Sequence, residues 1–353
     1  MTRLWIGTYP EAGAGTPVGL GEGVWRVDLD DATGALSDAE LVLTLPSPSF
    51  LAVAPDGRTL YAALEVEDGQ VVTLDVDERG GLTERRRVPS GGAYPCHVST
   101  DVDGLVAVAN YGSGTLGVLP VAADGEAGEP VAAHAHVGTG PVEDRQEGPH
   151  AHFVTVAPGG RHLLVVDLGT DEVRRYRRVE DRVEPDGVAV TLPPGTGPRH
   201  LDFAPDGRTA YVAGELDVQV HVLAWDPETA TGTPVQTVPA VGAGVPVVGD
   251  GGAHDPVRHP DGALPSHLVV DGDEVLVAVR GADVLTRYRI GGDGLLADGR
   301  THALGGHWPR HFVVVGPWVV VALERAHLLT VLGPDGEIVS TLPLPSPTCL
   351  APA

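Results

Sequence analysis

The sequence predicts an all-β protein: a single seven-bladed β-propeller domain over residues 1–353, with four-stranded antiparallel blades. Its ring is expected to close through N- and C-terminal strands that share one blade. Three observations predict this. Val and Leu dominate the apolar residues and aromatics make up only 5%, which favours many short strands. One strand–turn–strand phrase recurs along the chain. The last copy of that phrase is cut short, while the N-terminus begins with strands that lack a partner.

The phrase is clearest as "SPSFLAVAPDGRTLYAALE" from Ser47 and "GPRHLDFAPDGRTAYVAGE" from Gly197. Looser copies are "YPCHVSTDVDGLVAVANYG", "PHAHFVTVAPGGRHLLVVDLG", "LPSHLVVDGDEVLVAVRG" and "WPRHFVVVGPWVVVALER". In each full unit a short apolar strand follows a Pro or a small residue. A D-G-type turn suited to a tight hairpin comes next, then a second apolar strand. A third strand such as "QVVTLDVD" or "VQVHVLAW" follows, and a weaker fourth such as "TERRRVPS". Aligning the residue that opens each first strand gives Ser49, Cys96, His152, Arg199, Ser266, Arg310 and Thr348. The seventh unit, "SPTCLAPA", is a fragment, and "RLWIGTYP", "GVWRVDLD" and "AELVLTLP" at the start supply its missing strands. Closure of this kind leaves no open sheet edge, which argues against an open solenoid. The longest interval, from Ala240 to Leu264, reads as a Gly/Pro/His-rich insertion, a lid or a rim.

A propeller's first strands line its channel, and its second strands run back to the same mouth. The aligned residues should therefore share a funnel with the residues that end the second strands. Those are Thr8, Glu65, Asn110, Asp167, Glu215, Arg280 and Glu324. His97, His200, His267 and His311 recur at one repeat position, and such repetition is more often architectural than catalytic. His152, Arg199 and Arg310 stand where other units have Ser, Cys or Thr, and Arg280 replaces an acidic or amide position. His152, Arg199, Glu215 and Arg280 are therefore expected to face one ligand. Guanidinium groups suit carboxylate or phosphate, and a Glu and a His can move protons near neutral pH. His97, Asn110, His150, Asp167, His200, Arg310 and Glu65 are further candidates for substrate contact. The pair His150 and His152 forms H-x-H, a weak signal by itself, compatible with metal binding, proton transfer or support.

The formal net charge of −25 disfavours nucleic acid and anionic membranes as partners. Two cysteines are too few for a secreted disulfide scaffold, and no apolar run approaches a membrane span. "MTRLWIGTYPEAG" shows no signal-like region, so a soluble cytoplasmic protein is the expectation.

In order along the chain, "GTYP", "PSFLAVAPDGR", "YPCHV", "VANYGSG", "GPHAHFV", "DLGTDEV", "PPGTGPRHL", "AYVAGEL" and "HWPRHF" resemble the seven-bladed propeller lactonase family. That family includes the bacterial cycloisomerase-2-type 6-phosphogluconolactonases, and the fungal 3-carboxy-cis,cis-muconate lactonizing enzyme is related to it. The resemblance implies that the muconate enzyme's proposed His, Arg, Glu and Arg fall on His152, Arg199, Glu215 and Arg280. Alignment on Pro158 favours His152 over His150, which becomes a supporting neighbour. The implied reaction is opening of a small anionic lactone, with 6-phosphogluconolactone the best-known substrate. Glu215 or His152 would activate water, the arginines would hold the anion and the oxyanion, and His152 would protonate the leaving alkoxide. No metal or other cofactor is implied. A divalent ion on Glu65, Asp167 and Glu215 is a lesser alternative. A muconate-type intramolecular lyase would use the same four residues. A non-catalytic binding propeller would show an apolar or aromatic mouth instead. None of these motifs carries a lysine for a phosphate, so Arg310, Arg145 and the histidines would have to complete such a site. The sequence is silent on oligomeric state.

Overall fold

The structure is a computed structural model, and it describes residues 1–9, 19–100, 102, 104–179, 182–242 and 262–353. The insertion expected between Ala240 and Leu264 falls largely outside the described residues. Those residues hold 28 strands in seven four-stranded sheets. Blades 1 to 6 cover residues 48–89, 95–135, 151–191, 198–239, 264–303 and 309–343. Blade 7 joins the C-terminal strand Pro347–Pro352 to Thr2–Thr8, Gly23–Leu29 and Glu40–Thr44. Trp5 lies opposite Ala351 and Ile6 opposite Leu350, so both chain ends share this blade, as the truncated repeat predicts. The architecture is the all-β, seven-bladed propeller read from the sequence. Among the described residues no helix is long and apolar enough to cross a membrane.

By compactness the chain divides into two units. Blades 6, 7, 1 and most of 2 form one, and blades 3, 4 and 5 form the other. Within each unit the core lies between neighbouring blades. Leu201, Val212 and Leu223 of blade 4 pack with Leu164 and Val166 of blade 3. On the other face Tyr211, Val220 and Val222 pack with Val275 and Val277 of blade 5. Second strands are therefore buried on both faces, which is why "LYAAL" and "TAYVAG" read as continuous apolar runs rather than alternating ones. Outer strands such as "LTERRRVP" are covered on one side only and carry the charges.

The repeated "APDGRTxY" phrase has a local cause. Asp56 Oδ1 accepts from the backbone N–H groups of Arg58 (2.8 Å) and Thr59 (3.1 Å), and Gly57 takes the positive φ the turn needs. Asp206 repeats the arrangement with the N–H of Arg208 at 2.8 Å. The tyrosine then latches the next blade. Tyr61 donates to the Gly125 carbonyl at 2.6 Å, and Tyr211 donates to the Gly294 carbonyl at 2.8 Å.

One irregularity bears directly on function. In all seven blades the pairing of first and second strands shifts register at the first strand's opening. A bulge of this kind re-aims the side chain it carries. In blades 1 to 6 it falls at Ser49, Cys96, His152, Arg199, Ser266 and Arg310, positions aligned from sequence alone. In five blades the strand is entered through a left-handed residue before proline: Ser47, Tyr94, Gly197, Trp308 and Ser346.

Candidate active site

Four residues singled out from the sequence meet in the unit of blades 3 to 5. Glu215 follows the second strand of blade 4 and is 2% exposed. Its backbone N–H donates to the Gly197 carbonyl (2.9 Å), which sets the carboxylate beside the bulge that carries Arg199. Arg199 Nε lies 3.0 Å and Arg280 Nη2 lies 2.7 Å from Glu215 Oε2. Arg280 ends the second strand of blade 5, where its Nε also donates to the Leu264 carbonyl at 3.3 Å. His152 opens the first strand of blade 3, its ring 5.5 Å from that of His200.

The other Glu215 oxygen is taken by Arg145, whose Nη2 donates to Oε1 at 2.6 Å. Burial alone would raise the Glu215 carboxyl. Arg280, Arg145, Arg199 and His152 outweigh it and hold the group well below the usual carboxylate range. Glu215 is thus a fixed anion. Three guanidiniums thus meet at one buried carboxylate. Guanidinium groups are suited by shape and charge to hold carboxylate or phosphate oxygens.

Arg145 does not come from a strand. It sits in the connection between blades 2 and 3, and Gln146 pins that connection. Gln146 is fully buried, and its Nε2 donates to the Leu168 carbonyl (2.8 Å) and to Asp171 Oδ1 (2.7 Å). Asp171 also accepts from the N–H groups of Gly195 (2.7 Å) and Gly197 (2.8 Å), just before Arg199. Asp171 therefore ties the loop bearing Arg145 to the loop feeding Arg199. Asp171→Asn keeps a residue that tolerates the left-handed backbone but sets an amide donor where an acceptor is needed. It is expected to cost about 1–3 kcal/mol in urea unfolding, the penalty for unmet buried partners.

The repeated histidines make contacts between blades. Arg199 Nη1 donates to His200 Nε2 at 3.2 Å, so the His200 proton sits on Nδ1, which donates to His267 Nδ1 at 2.8 Å. Phe153 packs on His200 at 4.6 Å between ring centroids. In the other unit Phe50 packs on His97 at 4.3 Å and on His311 at 5.5 Å.

The remaining candidates are used differently from the sequence expectation. Asp167 is fully buried, and its Oδ1 accepts from the N–H groups of His150 (2.9 Å), Gly169 (3.0 Å) and Thr170 (3.2 Å). Its Oδ2 meets His136 Nδ1 at 2.5 Å, and His136 Nε2 meets the Tyr176 hydroxyl at 2.7 Å. Asn110 brackets Ser90, accepting from its Oγ at 2.6 Å and donating to its carbonyl at 3.3 Å. These two side chains organise turns. The register explains why. The Ser47 and Trp308 carbonyls accept from the N–H of Glu65 and Glu324, as Gly197 does from Glu215. In blades 2, 3 and 7 the donors at that point are Tyr111, Leu168 and Tyr9. Asn110, Asp167 and Thr8 therefore stand one residue earlier than the glutamates, a correction to the ring read from the sequence. His150 pairs through Nε2 with Glu147 Oε1 at 3.2 Å.

Arg310 and Glu65 belong to a second cluster, in the other unit, with Glu324 and Tyr9. Arg310 Nη1 lies 3.2 Å from Glu324 Oε2, Arg310 Nη2 donates to the Tyr9 hydroxyl at 2.5 Å, and that hydroxyl donates to Glu65 Oε2 at 2.5 Å. Burial pushes the Tyr9 hydroxyl well above its usual range. This cluster sets two carboxylates around one guanidinium, whereas three guanidiniums meet the single carboxylate of Glu215. Sequence reading missed Tyr9. The near-repeat "GTYP" placed Thr8 at the strand end, and the one-residue register offset was invisible there. For a divalent ion on Glu65, Asp167 and Glu215, each carboxylate is already engaged within the protein.

The fold defines the class as a seven-bladed propeller, and comparison with known proteins gives that class its family. The family model for the seven-bladed β-propeller lactonases matches residues 3–352. The chain belongs to this family and is by class a lactone-hydrolysing enzyme. It is 32% identical to a 6-phosphogluconolactonase of Bacillus subtilis, over 99% of this chain and 98% of the relative. It is 30% identical to a 6-phosphogluconolactonase of Pectobacterium atrosepticum, over 81% of this chain and 77% of that one. Among solved structures it resembles the periplasmic gluconolactonase PpgL of Pseudomonas aeruginosa, with TM-score 0.87 and 28% identity, covering 100% of this chain and 99% of that one.

Proposed function

We propose that this lactonase hydrolyses a sugar-acid lactone bearing an anionic group, 6-phosphogluconolactone foremost, without a metal. The observation that carries the reading is the gathering of Arg145, Arg199 and Arg280 at the Glu215 carboxylate. Both the Bacillus and the Pectobacterium relatives bear the name 6-phosphogluconolactonase, which supports the same substrate.

In this reading Glu215 is not the base. A carboxylate held ionised by three arginines has little affinity for a proton. His152 removes a proton from water as the oxygen attacks the lactone carbonyl carbon. Arg199 and Arg280 hold the developing oxyanion and the substrate's charge, and Glu215 fixes the two guanidiniums for that task. The tetrahedral intermediate collapses by breaking the ring C–O bond. His152 returns its proton to the departing alkoxide, and the product is an open hydroxy acid. A cytoplasmic setting belongs to the same proposal, supported by Cys96 and Cys349, both buried thiols outside any disulfide.

The test is hydrolysis of freshly generated 6-phosphogluconolactone beside glucono-1,5-lactone, with and without chelator. Turnover that favours the phosphorylated lactone and ignores the chelator is expected. Rates no higher than spontaneous opening for both would overturn the reading and direct the search to a muconate-type lactone.

A further inference from the structure

We propose that the cluster of Tyr9, Glu65, Arg310 and Glu324 is a binding site in its own right, for adjacent hydroxyl groups of a neutral polyol. It lies in the unit that holds blades 6, 7 and 1, and it does not depend on the hydrolytic mechanism given above.

The protein's own chemistry shows what the ligand would do. The Tyr9 hydroxyl accepts from Arg310 Nη2 and donates to Glu65 Oε2, each at 2.5 Å. One hydroxyl thus serves a guanidinium and a carboxylate together. Burial pushes it well above its usual range, which keeps its proton in place for that donation. The same pairing is available a second time. Arg310 Nη1 donates to Glu324 Oε2 at 3.2 Å. Among the described residues, no hydrogen bond reaches Glu65 Oε1, Glu324 Oε1 or Arg310 Nε. The side chains of Glu65 and Glu324 are each 4% exposed, and that of Arg310, at 13%, is the most open to an incoming group. Polar atoms this deeply placed are normally partnered.

The bulges of the same blades add to the unused capacity. In blade 4 the bulge sets Arg199 on the strand-end glutamate. In blade 1 the bulge carries Ser49 instead, whose N–H shares the Ser47 carbonyl with the N–H of Glu65, at 2.7 and 2.9 Å. In blade 7, beside Tyr9, it carries Thr348. Ser49 is 4% and Thr348 2% exposed, and neither hydroxyl has a hydrogen-bond partner among the described residues. Glu65 therefore lacks the arginine that its counterpart Glu215 receives from its own blade. A cation drawn to the two carboxylates would meet Arg310, which lies 3.2 Å from Glu324 and 4.0 Å from Glu65. A hydroxyl meets no such repulsion, because it donates to a carboxylate oxygen while accepting from the guanidinium. Two adjacent hydroxyls can serve both carboxylates.

The experiment is calorimetric titration of the full chain with D-glucitol, whose hydroxyls are adjacent, beside 1,6-hexanediol, whose hydroxyls are not. Wild type is expected to bind glucitol saturably and hexanediol not at all. Glu324→Gln and Arg310→Lys should each weaken glucitol binding by about 10- to 100-fold, the worth of a charge-assisted hydrogen bond. Arg310→Lys keeps a cation beside Glu324 and loses only the planar fork, so it serves if urea unfolding shows that Glu324→Gln does not fold. Absence of saturable glucitol binding to wild type would overturn the proposal. So would equal binding of hexanediol, or unchanged glucitol affinity in a variant that folds. Binding of methylammonium in place of glucitol would turn the cluster into a cation site and overturn it as well. Titration requires no turnover, so a failure of the lactone assays leaves each of these outcomes with the same meaning.

Discussion

Glu215→Gln is expected to lower turnover by about 10²–10³-fold, comparable to loss of an oxyanion-stabilising group, and to destabilise the fold as well. The substitution leaves Arg145, Arg199 and Arg280 without their shared anion. Removing one partner of a buried ionic group typically costs about 3–5 kcal/mol, because the remaining charge stays buried. The pH dependence has a definite sign. The folded state holds the Glu215 carboxyl well below its ordinary value of 4.5. Its stabilising contribution is therefore complete above that value and is lost as pH falls through the lower, folded-state one. Urea unfolding should show the variant's deficit in full near pH 7 and a narrowing gap under increasingly acidic conditions. A variant as stable as wild type at neutral pH would mean that the guanidiniums do not depend on this carboxylate.

His152 should behave in the opposite way, with a large kinetic effect and a small structural one. His152→Ala is expected to reduce kcat by about 10²–10⁴-fold, the usual worth of a general acid–base group. The limb of the pH–rate profile that reports the general base should disappear with it. Imidazole added to the buffer should restore part of the rate, because the missing function is proton transfer. If Glu215 were the base instead, His152→Ala would keep its pH profile and gain nothing from imidazole. Running the two variants side by side separates the group that moves protons from the group that arranges arginines.

The fold was legible because its repeating unit contains its own turn chemistry. The D-G turns mark each hairpin, and the prolines mark each inner strand, so the strands could be counted without knowing how they pack. Arg199, Glu215, Arg280 and His152 were legible for the same reason, each breaking a repeat at a definable position. Arg145 was harder to weigh. It lies in a connection with no counterpart in other blades, so only the hydrogen bonds of Gln146 and Asp171 reveal what holds it. Asn110 and Asp167 were placed one residue off in the ring because sequence alignment cannot show an offset in hydrogen-bond register. The cluster of Tyr9, Glu65, Arg310 and Glu324 was half visible, its carboxylates and arginine evident and its tyrosine hidden.

The shared seventh blade has a consequence for biosynthesis. The strand Thr2–Thr8 is synthesised long before its partner Pro347–Pro352. At about 5–20 residues per second, the early strand waits roughly 20–70 s with one edge unsatisfied. The other blades can pair as their own strands emerge, but this sheet waits for the far end of the ring. A chain interrupted before Pro347 would carry an open, apolar edge, the kind of surface that chaperones hold and aggregates recruit.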